Sequence, residues 1–372
     1  IEYSCSRNGP LNSVFLLKTR ANILPRAHFI FIVTANNSMP IDLTKLAAAI
    51  VALGLSVELL GRRSRGGAIT KAEATNAAFV FVKPHACNDA VIALVKKTFA
   101  AKGIRITSES DITGTTIDEK SLIDNHYGAI AAKAMTTLPA DLNVPAKGQA
   151  GFLEMFGESW TEAIAAGKVY NAKQALAKLS TDGAGLDVMW SKLKRGVNLI
   201  KFGGGFYCAS IDGIYVMNGF YMSMRGGYCK ATAKIHTFTV EWDASTLAWE
   251  DFRGSVLGGT NPGEAANGSL RKAIYDDWEA LGLAALPDTG DNGMHASASP
   301  FEGLAERINW CGATLKTDIF GAGLLAAGIA EADIMKWTKD SQQTLRGETG
   351  SLFDHLEDQD AAVNIANCRA MK

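Results

Sequence analysis

The chain has 372 residues, of which 47% are hydrophobic and 20% charged, enough for one large core or two modest ones and without the composition of a disordered protein. Its 37 basic and 38 acidic residues leave a formal net charge of −1, which excludes a global electrostatic pull toward nucleic acid or a membrane surface and leaves only a local anion site open. Cys5, Cys87, Cys208, Cys229, Cys311 and Cys368 are scattered, with no C-x-x-C pair and no clustered histidines, so a structural zinc site is not expected. A domain this large needs no disulfide framework, and reduced thiols in a reducing, cytoplasmic compartment are the expectation.

Residues 1–76 read as an N-terminal extension. Over residues 1–70, Arg7, Lys18, Arg20, Arg26, Lys45, Arg62, Arg63 and Arg65 stand against only Glu2, Asp42 and Glu58, a basic bias typical of organellar targeting segments. Two other readings stay open: a true start at Met39, with Lys45 and the apolar run forming a signal-like region and the extension in part not native, and an ordinary amphipathic helix flanking the domain. The longest apolar run, Leu46 to Val57, is too short to span a bilayer as a helix.

Ala77 to Val82 is an apolar run ending in Lys-Pro, the pattern of a buried strand. Asp89 to Ala101 has helical spacing through Val91, Leu94, Val95 and Phe99; Ile104 and Ile106 open a second strand, and Ile117 to His126 reads as a helix. Over 77–135 this is the β-α-β-α opening of a split βαβ sheet. Residues 136–217 read as a mainly helical insertion, with helices over 152–166, 172–179 and 186–193 and a short β element near 206–216. Phe202 to Phe206 is glycine-rich but lacks the Lys-Ser/Thr of a P-loop, and is expected to be a turn or strand crossing rather than a phosphate cradle. The core pattern resumes over 218–312: a strand at 235–242, a helix at 245–257, a long excursion over 260–291 with a helix near 270–283, a strand end at 293–295 and a covering helix at 300–310. Residues 313–372 form an amphipathic, charged C-terminal extension.

The chemistry concentrates in Asn292-Gly293-Met294-His295-Ala296-Ser297. Ser299-Pro300 and Glu302 signal a helix start. Glu306 then falls about two turns into that helix, where it can fix the tautomer of His295 and stabilise charge on its ring. The plainer reading is a hydrogen-bonded histidine in a polar turn. Lys83, Arg253 and Arg271 could supply the cations, and Thr260 and Asn292 the neutral donors, that phosphoryl transfer requires; the plain reading of each base is a solvated surface residue.

Val82-Lys83-Pro84-His85-Ala86, Asn125-His126-Tyr127, Gly258-Gly259-Thr260-Asn261-Pro262, Gly268-Ser269-Leu270-Arg271 and Asn292 to Ser297 occur in an order that resembles the nucleoside diphosphate kinase family, over roughly residues 77–135 and 218–312. The resemblance implies an α/β (α+β) fold, an antiparallel ferredoxin-like βαββαβ sandwich, and transfer of the terminal phosphate of a nucleoside triphosphate to a nucleoside diphosphate by a ping-pong route through a phosphohistidine. By resemblance His295 matches the phosphorylated histidine, Glu306 its orienting carboxylate, Ser297 the serine near it and Tyr127 the tyrosine beside it. Lys83, Thr260, Arg271 and Asn292 match phosphate and sugar contacts, and Phe220 or Tyr221 falls where an aromatic stacks on the base. Magnesium is expected on the nucleotide phosphates rather than in a protein cage, and a homo-oligomer of unspecified size is implied, with no nucleic-acid or membrane partner. The chain departs from the family at His85, where an acidic residue is usual, at Ala298, where an aspartate commonly follows the serine, and at Arg253, one position out of register with the family's second arginine. An alternative is a nucleotide-binding or scaffold module that keeps the fold with weak or no turnover; a third is a different phosphohistidine enzyme on the same frame.

Overall fold

The computed structural model describes residues 69–203 and 205–371, and the backbone of three strands nearer the N-terminus. Those three, β1 (Glu2–Arg7), β2 (Asn12–Arg20) and β3 (His28–Asn36), pair antiparallel as a meander, with Glu2 opposite Lys18 and Asn12 opposite Asn36. This is β structure where one reading of the basic stretch expects a helix. Met39 and the run from Leu46 to Val57 lie outside the described residues.

The second unit runs from Thr70 onward and is built around β4 (Thr75–Val82), whose last seven residues are all buried. A strand buried on both faces reads as a continuous apolar run rather than an alternation, which is how Ala77 to Val82 stands in the sequence. Joined by β5 (Arg105–Thr113), it belongs to a four-stranded sheet completed after the insertion. The two faces of β4 feed different cores. Ala78, Val80 and Val82 pack with Val91, Val95 and Phe99 of the Asp89–Ala101 helix, and Phe79 and Phe81 with Ile117, Ile123 and Trp310. The single helix expected over 117–126 is two, Gly114–Glu119 and Leu122–Tyr127, because Ser121 between them turns into the left-handed region at φ 51°.

The insertion is mainly helical and also contains a small sheet. β6 (Val169–Asn171), β7 (Leu199–Gly203), β8 (Phe206–Ile211) and β9 (Ile214–Met217) lie in the order β6-β9-β8-β7, with β6 and β9 parallel. Of these strands, only the β8–β9 element was legible in the pattern. Helices Ala146–Phe156 and Trp160–Ala165 cover one part of it around Phe152, Trp160 and Phe202. The break between them falls at Gly157, at φ 75°, where one helix over 152–166 was expected.

After the Phe220–Cys229 helix, β10 (Lys234–Asp243) pairs antiparallel with both β4 and β5, and β11 (Met294–Ala296) pairs antiparallel with the far edge of β4. The sheet order is therefore β11-β4-β10-β5. The helix expected over 245–257 is a short α turn, Trp249–Asp251, running into a π-helical turn, Phe252–Leu257. The Leu270–Asp276 helix is shorter than the 270–283 expected.

Pro300–Cys311 is the helix that joins the layers, and the C-terminal segment packs on its outer side. Phe301 and Leu304 enter a core with Phe320, Leu324, Ile334, Trp337, Leu356 and Ile365, and the segment adds the hairpin β12 (Gln342–Leu345) and β13 (Glu348–Ser351). On the sheet side, Arg307 donates from Nη1 to the Ala77 carbonyl at 2.7 Å and from Nε to Asp318 at 2.6 Å, and both residues are buried. Asp318 also accepts the Phe320 and Gly321 amides at the start of the next helix. Burial alone would raise its pKa; Arg307 and these amides hold it below the ordinary value. No helix among the described residues is long and apolar enough to cross a membrane.

Removing one partner of a buried ion pair leaves the other charge desolvated and unpaired. Asp318→Ala is accordingly expected to cost about 3–5 kcal/mol of unfolding free energy, read from urea denaturation. A loss under about 1 kcal/mol would show that the pair does not tie the C-terminal segment to the sheet.

Candidate active site

β11 sets His295 opposite Phe81 of β4, and the two rings stack at 4.7 Å between centroids. The turn before it needs Gly293, which sits at φ 87° with the Ile274 side chain against the position a Cβ would take. Its N–H donates to His85 Nε2 at 3.0 Å, and His85 Nδ1 lies 3.2 Å from Asp291.

His295 Nε2 is 2.6 Å from Glu306 Oε1, and Ser297 Oγ donates to Glu306 Oε2 at 2.5 Å. Ser297 is itself fastened to β4, accepting the Phe79 amide at 2.9 Å and lying 3.0 Å from the Phe79 carbonyl. Burial would raise the Glu306 pKa, but the charge and hydrogen bond of His295, the neighbouring His126 and the Ser297 hydroxyl bring it below the ordinary carboxylate value. An ionised carboxylate only accepts, so Nε2 carries the proton in this pair. In the neutral ring Nδ1 is then the nitrogen with a free lone pair.

His126 was not singled out from the sequence, although its neighbour Tyr127 was. It is edge-on to His295 at 4.6 Å between centroids, and its Nδ1 lies 3.4 Å from Glu306 Oε1 and receives the Trp310 indole N–H at 3.4 Å. Burial, with the charge of His295 adding, lowers its pKa to about 4, so the ring is neutral at ordinary pH. Tyr127 packs at 5.1 Å on His126. Glu302, one turn before Glu306, was also passed over. Burial and the Glu306 charge push its carboxyl up, so two carboxylates on one helix face shift in opposite directions. Their i, i+4 spacing was a readable signal.

Lys83, at the end of β4, donates from Nζ to the Gly290 carbonyl at 2.9 Å. Burial, then the neighbouring Arg271, lowers its pKa to about 8. Arg271 donates to the carbonyls of Gly258 and Met294, each at 2.9 Å, which ties it to the backbone of the residue before His295. Burial and the charge of Arg253 lower its pKa to about 10. Asn292 is buried and spends its amide N–H on the Thr260 carbonyl at 3.0 Å, while Thr260 itself is exposed. Asn292 Oδ1 and Arg271 Nε are buried without a hydrogen-bond partner among the described residues.

The remaining two candidates are engaged elsewhere. Arg253 donates from Nη1 to Glu357 at 2.8 Å and Asp358 at 2.6 Å. Phe220 packs on Trp190 and Tyr207 within the core of the insertion, at 5.9 and 5.7 Å, and makes no ring contact with His295 among the described residues. Tyr221 is fully buried, with its hydroxyl on Asp124 at 2.7 Å.

His126, His295 and Glu306 bring three metal-ligating groups within 4.8 Å of one another, a grouping the scattered histidines of the sequence did not announce. The set does not suit a cation as it stands. Glu306 Oε1 is already within hydrogen-bond distance of His295, and Lys83 and Arg271 add positive charge beside it.

No protein-family model matches the chain, and no curated protein matches it. Solved structures with some likeness include nucleoside diphosphate kinase from Encephalitozoon cuniculi, in the cubic apo form, at 13% identity and TM-score 0.31, covering 65% of this chain and 92% of that one. An NDP kinase from Pyrobaculum aerophilum aligns at 12% identity and TM-score 0.31, covering 63% and 95%. The Borrelia burgdorferi nucleoside-diphosphate kinase with bound vanadate and ADP aligns at 15% and 0.30, covering 64% and 87%. At these scores the likeness is distant.

Between pH 8 and 10.5 the unfolded chain binds a proton that folded Lys83 has released, so stability rises with pH across that window. After reductive ¹³C-methylation, NMR is expected to show one dimethyl-lysine resonance titrating near pH 8 that disappears in Lys83→Met. A Lys83 signal titrating with the bulk lysines would refute its burial beside Arg271.

Proposed function

We propose that the protein is a nucleoside diphosphate kinase-like phosphotransferase. The observation that carries this reading is the fixed tautomer of His295: Nε2 is held by Glu306, and Nδ1 is left as a nucleophile, with Lys83 following the paired strand β4 and Arg271 on the Met294 carbonyl. Nδ1 would attack the terminal phosphorus of a nucleoside triphosphate. The bond to the β-phosphate oxygen breaks, the diphosphate leaves with those electrons, and the phosphoryl group stays on nitrogen until a second diphosphate attacks it in reverse. A proton that stays on Nε2 leaves a cationic phosphoimidazole, which the Glu306 carboxylate stabilises. Magnesium would arrive as part of the nucleotide, neutralising phosphate oxygens.

The strand order β11-β4-β10-β5, antiparallel at every neighbour, supports a ferredoxin-like βαββαβ assignment for the main sheet, with the helix before β5 and the turns before β11 as its two crossovers. The five sequence motifs point the same way.

A second reading, a nucleotide-binding or scaffold module with weak or no turnover, is favoured by how fully the cations are already engaged. Lys83 and Arg271 hold backbone carbonyls, and Arg253 holds two carboxylates.

The test is incubation with magnesium and γ-labelled ATP, followed by a chase with a nucleoside diphosphate. Acid-labile label is expected on the wild type and not on His295→Ala, and it should move to the diphosphate. Glu306→Gln, which keeps the shape and loses the charge, should slow labelling roughly 10- to 100-fold. Nucleotide binding without any label would leave the scaffold reading standing.

A further inference from the structure

Arg253 sits in the π-helical turn Phe252–Leu257, which is closed by a hydrogen bond from the Gly258 amide to its own carbonyl at 3.0 Å. Gly258 ties this turn to Arg271, since its carbonyl accepts from Arg271 Nη1 at 2.9 Å. Two carboxylates from the C-terminal segment meet Arg253 there, both through Nη1, at 2.8 Å from Glu357 and 2.6 Å from Asp358. No partner for Nη2 is found among the described residues, so half of the guanidinium fork remains for another acceptor.

The backbone that presents these acids is anchored on both sides. The Asp358 amide donates to the Ala298 carbonyl at 3.0 Å, in the turn that follows His295, and Asp360 accepts from Asn76 at 2.7 Å and from the Trp249 amide at 2.8 Å. Asp358 itself adopts φ 57°, a left-handed conformation uncommon outside glycine and best tolerated by Asp and Asn. The side chains are half-exposed, at 47% for Glu357 and 45% for Asp358, so each can swing into solvent without moving the chain.

We propose that Glu357 and Asp358 set the affinity of the site for phosphate: they are built-in anions that hold Arg253 and compete with the phosphates of a nucleotide for its guanidinium. The inference rests on the phosphotransfer reading for the identity of the ligand, though not for the contact itself. Two negative charges beside the site also repel an incoming polyphosphate, so competition and repulsion act in the same direction.

The experiment is a cycle of ADP binding by isothermal titration calorimetry at low ionic strength. E357Q/D358N removes both charges and keeps both shapes, and is expected to bind ADP about tenfold more tightly than wild type. R253Q should weaken ADP binding in both backgrounds and should shrink the gain seen with E357Q/D358N to the part owed to repulsion alone. The proposal is overturned if E357Q/D358N and wild type bind ADP equally, if the gain survives R253Q undiminished, or if no variant binds ADP. ATP labelling of His295 in the same variants separates the two ideas. Tightened binding without label sinks the phosphotransfer reading and keeps the acidic pair; label without tightened binding does the reverse.

Discussion

The structure around His295 depends on one buried carboxylate. Taking Glu306 out of water costs several kcal/mol, and the fold offsets this with His295 on one oxygen and Ser297 on the other. Ser297 is tied to Phe79, so the same carboxylate links helix Pro300–Cys311, strand β11 and central strand β4. Close approach is needed for bonds this short. Gly303 permits it, since a Cβ there would lie 3.0 Å from the Ala77 carbonyl and 3.2 Å from Ser297 Oγ. Arg307, the next residue on the helix, extends the polar seam to Ala77 and Asp318. His295, a sheet edge and a helix are thus held in one hydrogen-bonded unit, whose geometry cannot drift without leaving a charge unpaired.

Much of this frame was legible, because periodicity and caps are local. The run Ala77 to Val82, the helix from Asp89, the strand through Val240 and the Ser299-Pro300 helix start each carry their signal within a few residues. The spacing from His295 to Glu306 was also local, being set by one turn and one helix. His126 was not readable as a site residue, since its place beside His295 depends on β4, β11 and two helices coming together. The surroundings of Phe220 were hidden for the complementary reason: the insertion that precedes it supplies its neighbours, Trp190 and Tyr207. Strands β6 and β7 are three and five residues long and owe their existence to pairing with β9 and β8, which no local pattern encodes. The acids that meet Arg253 come from a segment in which the sequence offered no chemistry.

The single-position offset at Arg253 has a backbone counterpart. A π turn takes in one more residue than an α turn over the same hydrogen-bonded span, and Phe252–Leu257 is such a turn, just before Gly258. An extra residue can be absorbed here without displacing Gly258-Gly259 or the buried Val256 and Leu257. From this turn Arg253 faces the acids at 357 and 358.

The sheet order also has a consequence for how the chain must come together. The two neighbours of β4 are β10 and β11, and both lie beyond the whole insertion. On a growing polypeptide, a strand whose last seven residues end up buried therefore stays unpaired at both edges while residues 136–217 are made. Closing a longer loop adds only about 0.6 kcal/mol for each doubling of its length, so the insertion costs the finished fold little. Its cost falls on time instead: pairings so distant in sequence form slowly, and an uncovered strand such as Ala77 to Val82 is what chaperones bind and what aggregates when they do not.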